Sequence, residues 1–252
     1  MAASRRPRAT DLRAFACSRR ARMWAGHAFV AVLAAMLLVV AGCATREEAA
    51  PAGAPEPPGY PARDYERALA EGRPVYRVDP AASTVVIEVR RAGSLARLGH
   101  DHVVAGYDIR GHVMPDRDRA DVYVALNELV VDEPKLRAEA GFDTEPTTDA
   151  IAGTRRNMLN RVLEAERFPF ALISVGSLDA AGVASVAITL HGTTRTMRIP
   201  LHVDMTPDQW LITGSFSLNQ TDFGVVPLSL LGGAIQVQDA VAVRFRIRAV
   251  RR

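Results

Sequence analysis

Two histidines separated by a single residue, His100 and His102, form the pattern in the sequence that most resembles a reactive site. In an extended chain, side chains two residues apart point to the same side, as a two-nitrogen metal clamp requires. A stable zinc site also needs a third and a fourth ligand, and the sequence has neither an HExxH motif nor a second histidine pair. The alternative is a turn, in which Gly99 supplies flexibility and Asp101 accepts hydrogen bonds from nearby backbone amides.

The elements that must position these histidines are extended strands, because apolar residues recur at every second position from residue 75 onward. In the last such run, apolar residues at positions 241, 243, 245 and 247 alternate with alanine and arginine. About eight strands are predicted, and the connections after Phe170 are short turns that require antiparallel neighbours. The pattern predicts an all-β fold, either a closed eight-stranded barrel or a sandwich. An eight-stranded barrel is filled by side chains or holds one small ligand.

One insertion interrupts the strands, between Asp132 and Arg167. Thr147 or Thr148 is predicted to cap a short helix there, although Gly153 weakens it. The apolar stripe of this helix consists of Ile151, Met158, Leu159 and Val162. The fold class is therefore all-β with a short helical insertion.

The first 42 residues have the composition of an export signal. An arginine-rich start precedes an apolar run over residues 28–41, which is shorter than the roughly 20 residues that span a bilayer. The run ends in Val40-Ala41-Gly42-Cys43, which resembles the bacterial lipobox, where the chain is cut before a cysteine that then carries lipid. This resemblance implies an exported lipoprotein of the cell envelope or periplasm, anchored in a membrane through Cys43. A tilted membrane-spanning anchor is the alternative.

The domain organisation that follows has three parts. Residues 1–42 are the lipoprotein-type signal peptide, residues 43–74 a tether rich in Pro, Ala and Glu with one short helix, and residues 75–252 the barrel domain. With Cys17 in the signal and Cys43 lipidated, the exported domain has no cysteine for disulfides, thiol catalysis or thiolate metal sites.

The charge distribution argues against nucleic acid as a partner. The formal net charge is +3, but seven of the 31 basic residues and only one of the 28 acidic residues fall within residues 1–42. The remainder has 24 basic and 27 acidic residues, a formal charge of −3. The basic balance thus belongs to the signal and not to a nucleic-acid-binding surface.

The strand region, residues 75–250, resembles the YceI family of exported bacterial proteins. The segments that carry the resemblance are YRVDPAASTVVIEVR, AGYDIRGHVMPD, NMLNRVLEAERFPFALISV, VAITLHGTTRTMRIPL, NQTDFGV and VQDAVAVRFRIRA. The hairpin in VAITLHGTTRTMRIPL is the most specific of them. The resemblance implies a lipocalin-like antiparallel barrel that binds polyisoprenoid lipids. Arg156, where the family often has an acid, and the His-Asp-His segment indicate a divergent branch.

A tunnel for an isoprenoid chain needs aromatic and branched side chains inside and polar groups only at its mouth. The candidates for that lining are Phe168, Phe170, Leu190, Met197, Trp210, Phe216 and Phe245, with His100 and His102 as polar residues of the barrel mouth. The same apolar residues would also suit a filled core.

The sequence therefore predicts a non-catalytic carrier for an isoprenoid-type lipid, such as a quinone or a polyprenyl carrier. No catalytic motif, metal site or cofactor besides that lipid is predicted, because G-x-S-x-G, P-loop and G-x-G-x-x-G patterns are all missing. The alternatives are a metal-binding or enzymatic envelope protein that uses His100 and His102, and a solid-cored interaction module. The oligomeric state is left open.

Overall fold

A computed structural model describes residues 56–251 of the chain. The predicted signal peptide and residues 43–55 of the predicted tether, Cys43 among them, lie outside the described residues. Three α-helices occur within them: α1 (Ala62–Ala70), α2 (Pro134–Glu139) and α3 (Thr148–Asn157), which continues into a π-helical turn over Met158–Val162. Single 3-10 turns lie at Pro80–Ala82, Ala96–Leu98, Pro115–Arg117, Leu126–Glu128, Gln220–Phe223 and Leu231–Gly233.

Strands are the main regular structure of the described residues. They are β1 (Tyr76–Val78), β2 (Thr84–Val89), β3 (Arg91–Ala92), β4 (His102–Gly106), β5 (Ile109–Met114), β6 (Arg119–Ala125), β7 (Val130–Val131), β8 (Phe170–Leu178), β9 (Val183–Leu190), β10 (Thr193–Met205), β11 (Gln209–Asn219), β12 (Ser229–Leu230), β13 (Ile235–Val237) and β14 (Ala240–Arg251).

Three of the barrel's strands are each built from two short ones. β1 and β2 lie end to end beside β14, β4 and β5 lie end to end beside them, and β6 and β7 follow in the same way. With β8, β9, β10, β11 and β14 they make eight antiparallel barrel strands, each paired with its neighbours in sequence. The prediction of a closed eight-stranded antiparallel barrel is therefore confirmed.

The barrel closes through β14. This strand pairs with β11 over its whole length on one side, from Gln209↔Val250 to Asn219↔Ala240. On its other side it pairs first with β2 and then with β1. Closure satisfies the backbone hydrogen bonds of what would otherwise be two exposed sheet edges.

The second barrel strand is bent where β4 gives way to β5, immediately after Gly106. A Cβ atom at this glycine would lie 3.0 Å from a methyl carbon of Val85 and 3.2 Å from side-chain carbons of Leu129 and Val124. The chain approaches its neighbours closely here because residue 106 has no side chain.

The helical insertion packs beside β7 at the barrel end where β2 ends and β4 begins. Thr147 caps α3 as predicted, because its Oγ1 accepts a hydrogen bond of 3.3 Å from the amide of Ala150. Ile151 and Met158 pack against the core around Val124 and Leu129. The helix thus adds apolar surface to the inside of the barrel at this end.

Two further layers cover the outside of the barrel wall. Tyr65 of α1 is 1% exposed and donates a hydrogen bond of 2.7 Å to Asp121 Oδ2 on β6. Asp121 also accepts hydrogen bonds of 2.6 Å from Ser174 Oγ and from Arg119 Nε. On the other layer, α2 lies over β2 and β4 in a buried cluster of Val86, Val103, Ala105 and Leu136, with Phe142 packed against it.

Candidate functional site

The barrel is hollow. Its interior holds a cavity of about 720 Å³, within the range of roughly 300–1,000 Å³ that is typical of small-molecule sites. Residues from all eight barrel strands line the cavity, which reaches His100 and Leu230 at one end and Asp118 and Leu178 at the other. We call the histidine end, where the β2–β4 loop and the β11–β14 connection lie, the mouth.

The cavity wall is almost wholly apolar. Alternate residues of each strand point inward, and examples from five strands are Ile87, Val122, Ile173, Ile188 and Ile247. Ile87, Val122, Ile173 and Ile247 are only partly buried, although they point into the barrel. Their remaining exposure faces open space inside the cavity, which can therefore accept an apolar chain without displacing wall residues.

Phe245 fits into the wall because the residue opposite it, Gly214, has no side chain. Gly214 pairs with Phe245 across β11 and β14, and a Cβ atom on Gly214 would lie 2.6 Å from Cζ of the ring. Phe216 lies next to it, with ring centroids 6.3 Å apart in an edge-to-face arrangement. Residue 214 is a glycine so that an aromatic ring can lie flat across the barrel wall.

The predicted lining residues fall into two groups. Leu190, Trp210, Phe216 and Phe245 line the cavity. Phe168, Phe170 and Met197 are not among its lining residues.

The three residues outside the lining each have another contact. Phe170 alternates with the inward-facing Ala171 and makes an edge-to-face contact with Tyr123, with centroids 6.0 Å apart. Phe168 packs on His191 beside the β9–β10 turn, with centroids 4.4 Å apart. Met197 packs against the buried cluster that contains Phe223.

Sequence reasoning missed most of the wall, which consists of small aliphatic residues rather than aromatic ones. The helical insertion also contributes lining residues, namely Ala150, Gly153, Thr154, Asn157, Met158, Val162 and Leu163. The strand alternation was a usable signal for the aliphatic positions. A choice of lining residues that favours aromatic side chains could not identify these aliphatic positions.

His100 and His102 both line the mouth, with ring centroids 6.2 Å apart. His102 is the first residue of β4, and its Nδ1 lies 2.6 Å from Asp132 Oδ2. Because a carboxylate only accepts, Nδ1 carries the proton of this hydrogen bond, and Nε2 is the ring nitrogen left for another partner. Nδ1 of His100 is buried and has no hydrogen-bond partner among residues 56–251. The mouth thus presents two imidazoles at the end of an apolar cavity.

Asp132 is the centre of a buried polar cluster behind His102. Its side chain is 0% exposed, and Oδ1 accepts hydrogen bonds from Arg137 at 2.6 Å and from the amide of Val103 at 3.0 Å. Arg137 also donates to the carbonyl of Asp101, at 2.6 Å. Burial by itself raises the pKa of the Asp132 carboxyl, but the hydrogen bonds from His102, Val103 and Arg137 outweigh burial and hold the pKa below its ordinary value. Asp132 is therefore ionised and orients His102.

Asp101 has the turn role that the sequence suggested. Its Oδ1 accepts a hydrogen bond of 2.8 Å from the amide of Arg91, across the base of the β2–β4 loop. Within residues 56–251, no group of three His, Cys, Asp or Glu side chains is arranged to hold a metal ion. The same residues contain no helix that is both long and apolar enough to cross a bilayer.

The sequence profile of the YceI-like domain matches residues 76–249, which is most of the chain and all eight barrel strands. The chain belongs to the YceI-like family. A comparison with curated proteins finds no significant sequence relative.

Two solved structures share the fold of this YceI-like protein. One is a polyisoprenoid-binding domain from Saccharophagus degradans implicated in plant cell wall breakdown, with 14% identity, a TM-score of 0.51, and coverage of 70% of this chain and 98% of that one. The other is BcnA from Burkholderia cenocepacia, with 15% identity, a TM-score of 0.50, and coverage of 69% of this chain and 99% of that one. At such low identity the likeness extends to the fold.

Proposed function

We propose that this YceI-like protein is a non-catalytic carrier that holds the chain of an isoprenoid-type lipid, a quinone or a polyprenyl carrier, inside its barrel. The observation that carries the proposal is the cavity of about 720 Å³ with an apolar wall. Burial of an apolar chain contributes roughly 25 cal/mol for each Å² removed from water. The polyisoprenoid-binding domain from Saccharophagus degradans, which has the same fold, supports the choice of ligand class.

The polar end of such a lipid would lie at the mouth. His102 offers Nε2 because Asp132 occupies Nδ1, and His100 lies beside it at the mouth. A polar headgroup can hydrogen-bond to Nε2 of His102 while its chain fills the cavity. The rest of the binding energy is non-directional, so the headgroup contacts orient the lipid in the barrel.

The proposed location of the protein in the cell rests on its N-terminal sequence. Cleavage before Cys43 and its lipidation would place the carrier on a membrane of the cell envelope, facing the periplasm, with residues 43–74 as its tether. A Cys43→Ser variant is then expected in the soluble envelope fraction. Unchanged retention in the membrane fraction would contradict the anchor without touching the proposed ligand.

The binding proposal is tested on protein purified from membranes in its native state. Lipid extraction followed by mass spectrometry is expected to recover an isoprenoid lipid in near-stoichiometric amount. An Ile173→Trp variant places an indole in the cavity and is expected to lose that lipid, because Ile173 lines the cavity and is only partly buried. Met205→Trp is the matched control, since Met205 is 65% exposed and lies outside the cavity.

Equal lipid content in the Ile173→Trp and Met205→Trp variants, or none in the native protein, would mean that the cavity is not a lipid site. For the headgroup contacts, a His100→Ala/His102→Ala variant is expected to retain lipid but to bind it several-fold more weakly, since each lost hydrogen bond contributes about 0.5–1.5 kcal/mol.

A further inference from the structure

One side of the mouth is formed by a small, separate sheet. The segments 90–99 and 225–238 meet there, and β3, β13 and β12 pair in antiparallel order outside the barrel wall. We call these two segments the lip. Leu98, Leu228 and Leu230 of the lip also line the cavity, and because Leu98 and Leu230 are exposed as well, the cavity reaches solvent beside the lip.

The lip is a built structure and not a loose loop. Arg91 pairs with Val237, and the amide of Leu95 donates a hydrogen bond of 2.8 Å to the carbonyl of Ala234. Gly93 has a φ of +96°, and a Cβ atom there would lie 2.5 Å from the carbonyl oxygen of Ala234. The two segments therefore touch through a glycine that no other residue can replace without moving them apart.

Large apolar side chains point out from the lip into solvent. Val226 is 75% exposed, Leu231 73%, Leu98 59% and Leu230 41%. Four of the eight exposed large hydrophobic residues among residues 56–251 thus fall on the lip, a small part of that chain. Scattered exposed leucines are ordinary, but a group of them beside an apolar entrance marks an interaction surface.

The charges of the lip are of one sign. Residues 223–238 contain no charged side chain, and residues 90–99 contain three arginines and no acid. Arg90 and Arg91 have acidic partners in Glu88 and Asp143. Arg97 is exposed and makes no ion pair with any residue in the range 56–251.

The opposite end of the barrel has a different balance of charge. Its three turns, at residues 115–118, 179–182 and 204–208, carry five aspartates (Asp116, Asp118, Asp179, Asp204 and Asp208) and one arginine, Arg117, and two of the aspartates pair with Arg73 and Arg198. Five aspartates against these three arginines leave a formal charge of −2, whereas the unpaired charge of the lip is an arginine, so an anionic surface favours the lip. The two ends therefore differ in which one can approach a membrane.

We propose that the lip docks on a bilayer that contains anionic lipids, with Val226, Leu230 and Leu231 in the headgroup interface, so that an apolar chain passes directly between the bilayer and the cavity. This inference rests on the proposed function, since it gives the route by which the lipid enters. Because Leu98 and Leu230 both line the cavity and are exposed to solvent, the lipid chain can pass along the lip without crossing water.

Docking is tested with an environment-sensitive fluorophore on the full-length chain. In a Cys17→Ser/Cys43→Ser background, the probe is attached at Leu231→Cys in one protein and at Met205→Cys, in an exposed turn of the opposite end, in the control. Vesicles of phosphatidylcholine with phosphatidylglycerol are expected to shift the emission at position 231 to shorter wavelength and to leave position 205 unchanged.

The site-specific probe also separates docking from attachment through the N-terminal segment, which would hold both labelled proteins on the vesicle alike. An unchanged emission at position 231, or an equal shift at both positions, would overturn the inference. So would a shift at position 231 that a soluble envelope protein produces and vesicles do not, because the lip would then bind a protein.

Variants of the lip test whether docking speeds the transfer of lipid from the bilayer into the cavity. Leu230→Ser/Leu231→Ser is expected to slow the uptake of a fluorescent polyprenol from vesicles by roughly tenfold or more, since burial of two leucines is lost. Arg97→Gln should slow uptake from anionic vesicles by about fivefold, and less from phosphatidylcholine alone. Met205→Ser is the control.

Lipid content measured by mass spectrometry distinguishes the two proposals. If the serine variant carries normal lipid but takes it up at the normal rate, the lip inference fails and the carrier function stands. If neither the native protein nor the variant carries lipid while position 231 still responds to vesicles, the carrier function fails and the lip is a membrane-docking surface alone.

Discussion

Strand β6 is more deeply buried on its outer face than on its inner face. The outward-facing Asp121 and Tyr123 are 4% and 5% exposed, whereas the inward-facing Val122 is only partly buried. The outer face lies under α1, and the inner face borders the cavity. Packed and hydrogen-bonded layers therefore support the barrel wall from outside, so the fold does not depend on a filled interior.

The largest loss of stability is expected from Arg137→Met, in the outer layer that contains α2. The substitution leaves the Asp132 carboxylate buried without its cationic partner, and breaking a buried pair in this way typically costs about 3–5 kcal/mol of the free energy of unfolding. Urea unfolding of the full-length protein measures it. Arg97→Met is the control, because Arg97 is exposed and unpaired within residues 56–251, and should change stability by less than about 0.5 kcal/mol. Equal losses in the two variants would mean that the outer cluster does not brace the wall.

A smaller loss is expected from Tyr65→Phe on the other outer layer. The variant removes only the hydroxyl that donates to Asp121, leaving a buried acceptor with one partner fewer, at about 1–3 kcal/mol. The matched control is Tyr107→Phe, since Tyr107 is 40% exposed and its hydroxyl binds Glu133 at the surface. Thermal unfolding of both variants would show a clear difference if α1 contributes to the barrel's stability, and coincident melting curves if it does not.

Valine-to-leucine substitutions on the outer and inner faces are expected to have different effects on stability. Val86→Leu adds a methylene to the packed outer layer, where Val86 is 3% exposed, and should cost about 1–3 kcal/mol by overpacking. Val122→Leu adds the same group toward open space in the cavity, and should leave the free energy of unfolding nearly unchanged. A loss of similar size in both would show that the interior is packed as tightly as the outside.

The fold could be predicted from the sequence because alternation with period two reports directly which strands have a buried side. The polar cluster could not be predicted, because Asp132 lies 30 residues after His102 and Arg137 five residues further on, and contacts at such a separation leave no periodic signal. In the strand that begins at Phe170, both alternating sets start with apolar residues, so the pattern did not say which set faces inward. The structure places Ala171 and Ile173 inside, and Phe170 against Tyr123.

The lip left no signal of this kind. Residues 223–238 show no alternation and no charge, and a stretch of that sort is read as a connection between strands. The exposed leucines indicate an interaction surface because they lie beside the cavity entrance. That position depends on the pairing between β3 and β13, which the sequence does not show.

The smallest change in stability is expected when the pH is lowered. The pKa of Asp132 lies below its ordinary value, so the stability that Asp132 contributes is fully present above the unfolded-state pKa of about 3.9 and is lost as the pH falls through the lower folded-state pKa. Stability should therefore begin to decline below about pH 4, and Asp132→Asn should flatten that part of the profile. Unfolding measured from neutral pH downward compares the two proteins. Filling the cavity with Ile173→Trp should leave the shape of the profile unchanged, because Ile173 is not a titratable residue.

Closure through β14 determines when during folding the barrel can assemble. This strand begins at Ala240, more than 160 residues after β1, and it supplies partners for β1, β2 and β11 at once. Until it is in place, both neighbouring edges are open, so cooperative assembly must wait for the C-terminal residues. The contacts that close the ring are among the most distant in sequence, and such contacts slow folding. During synthesis, the earlier strands therefore have to be kept from pairing with other chains until the last one arrives.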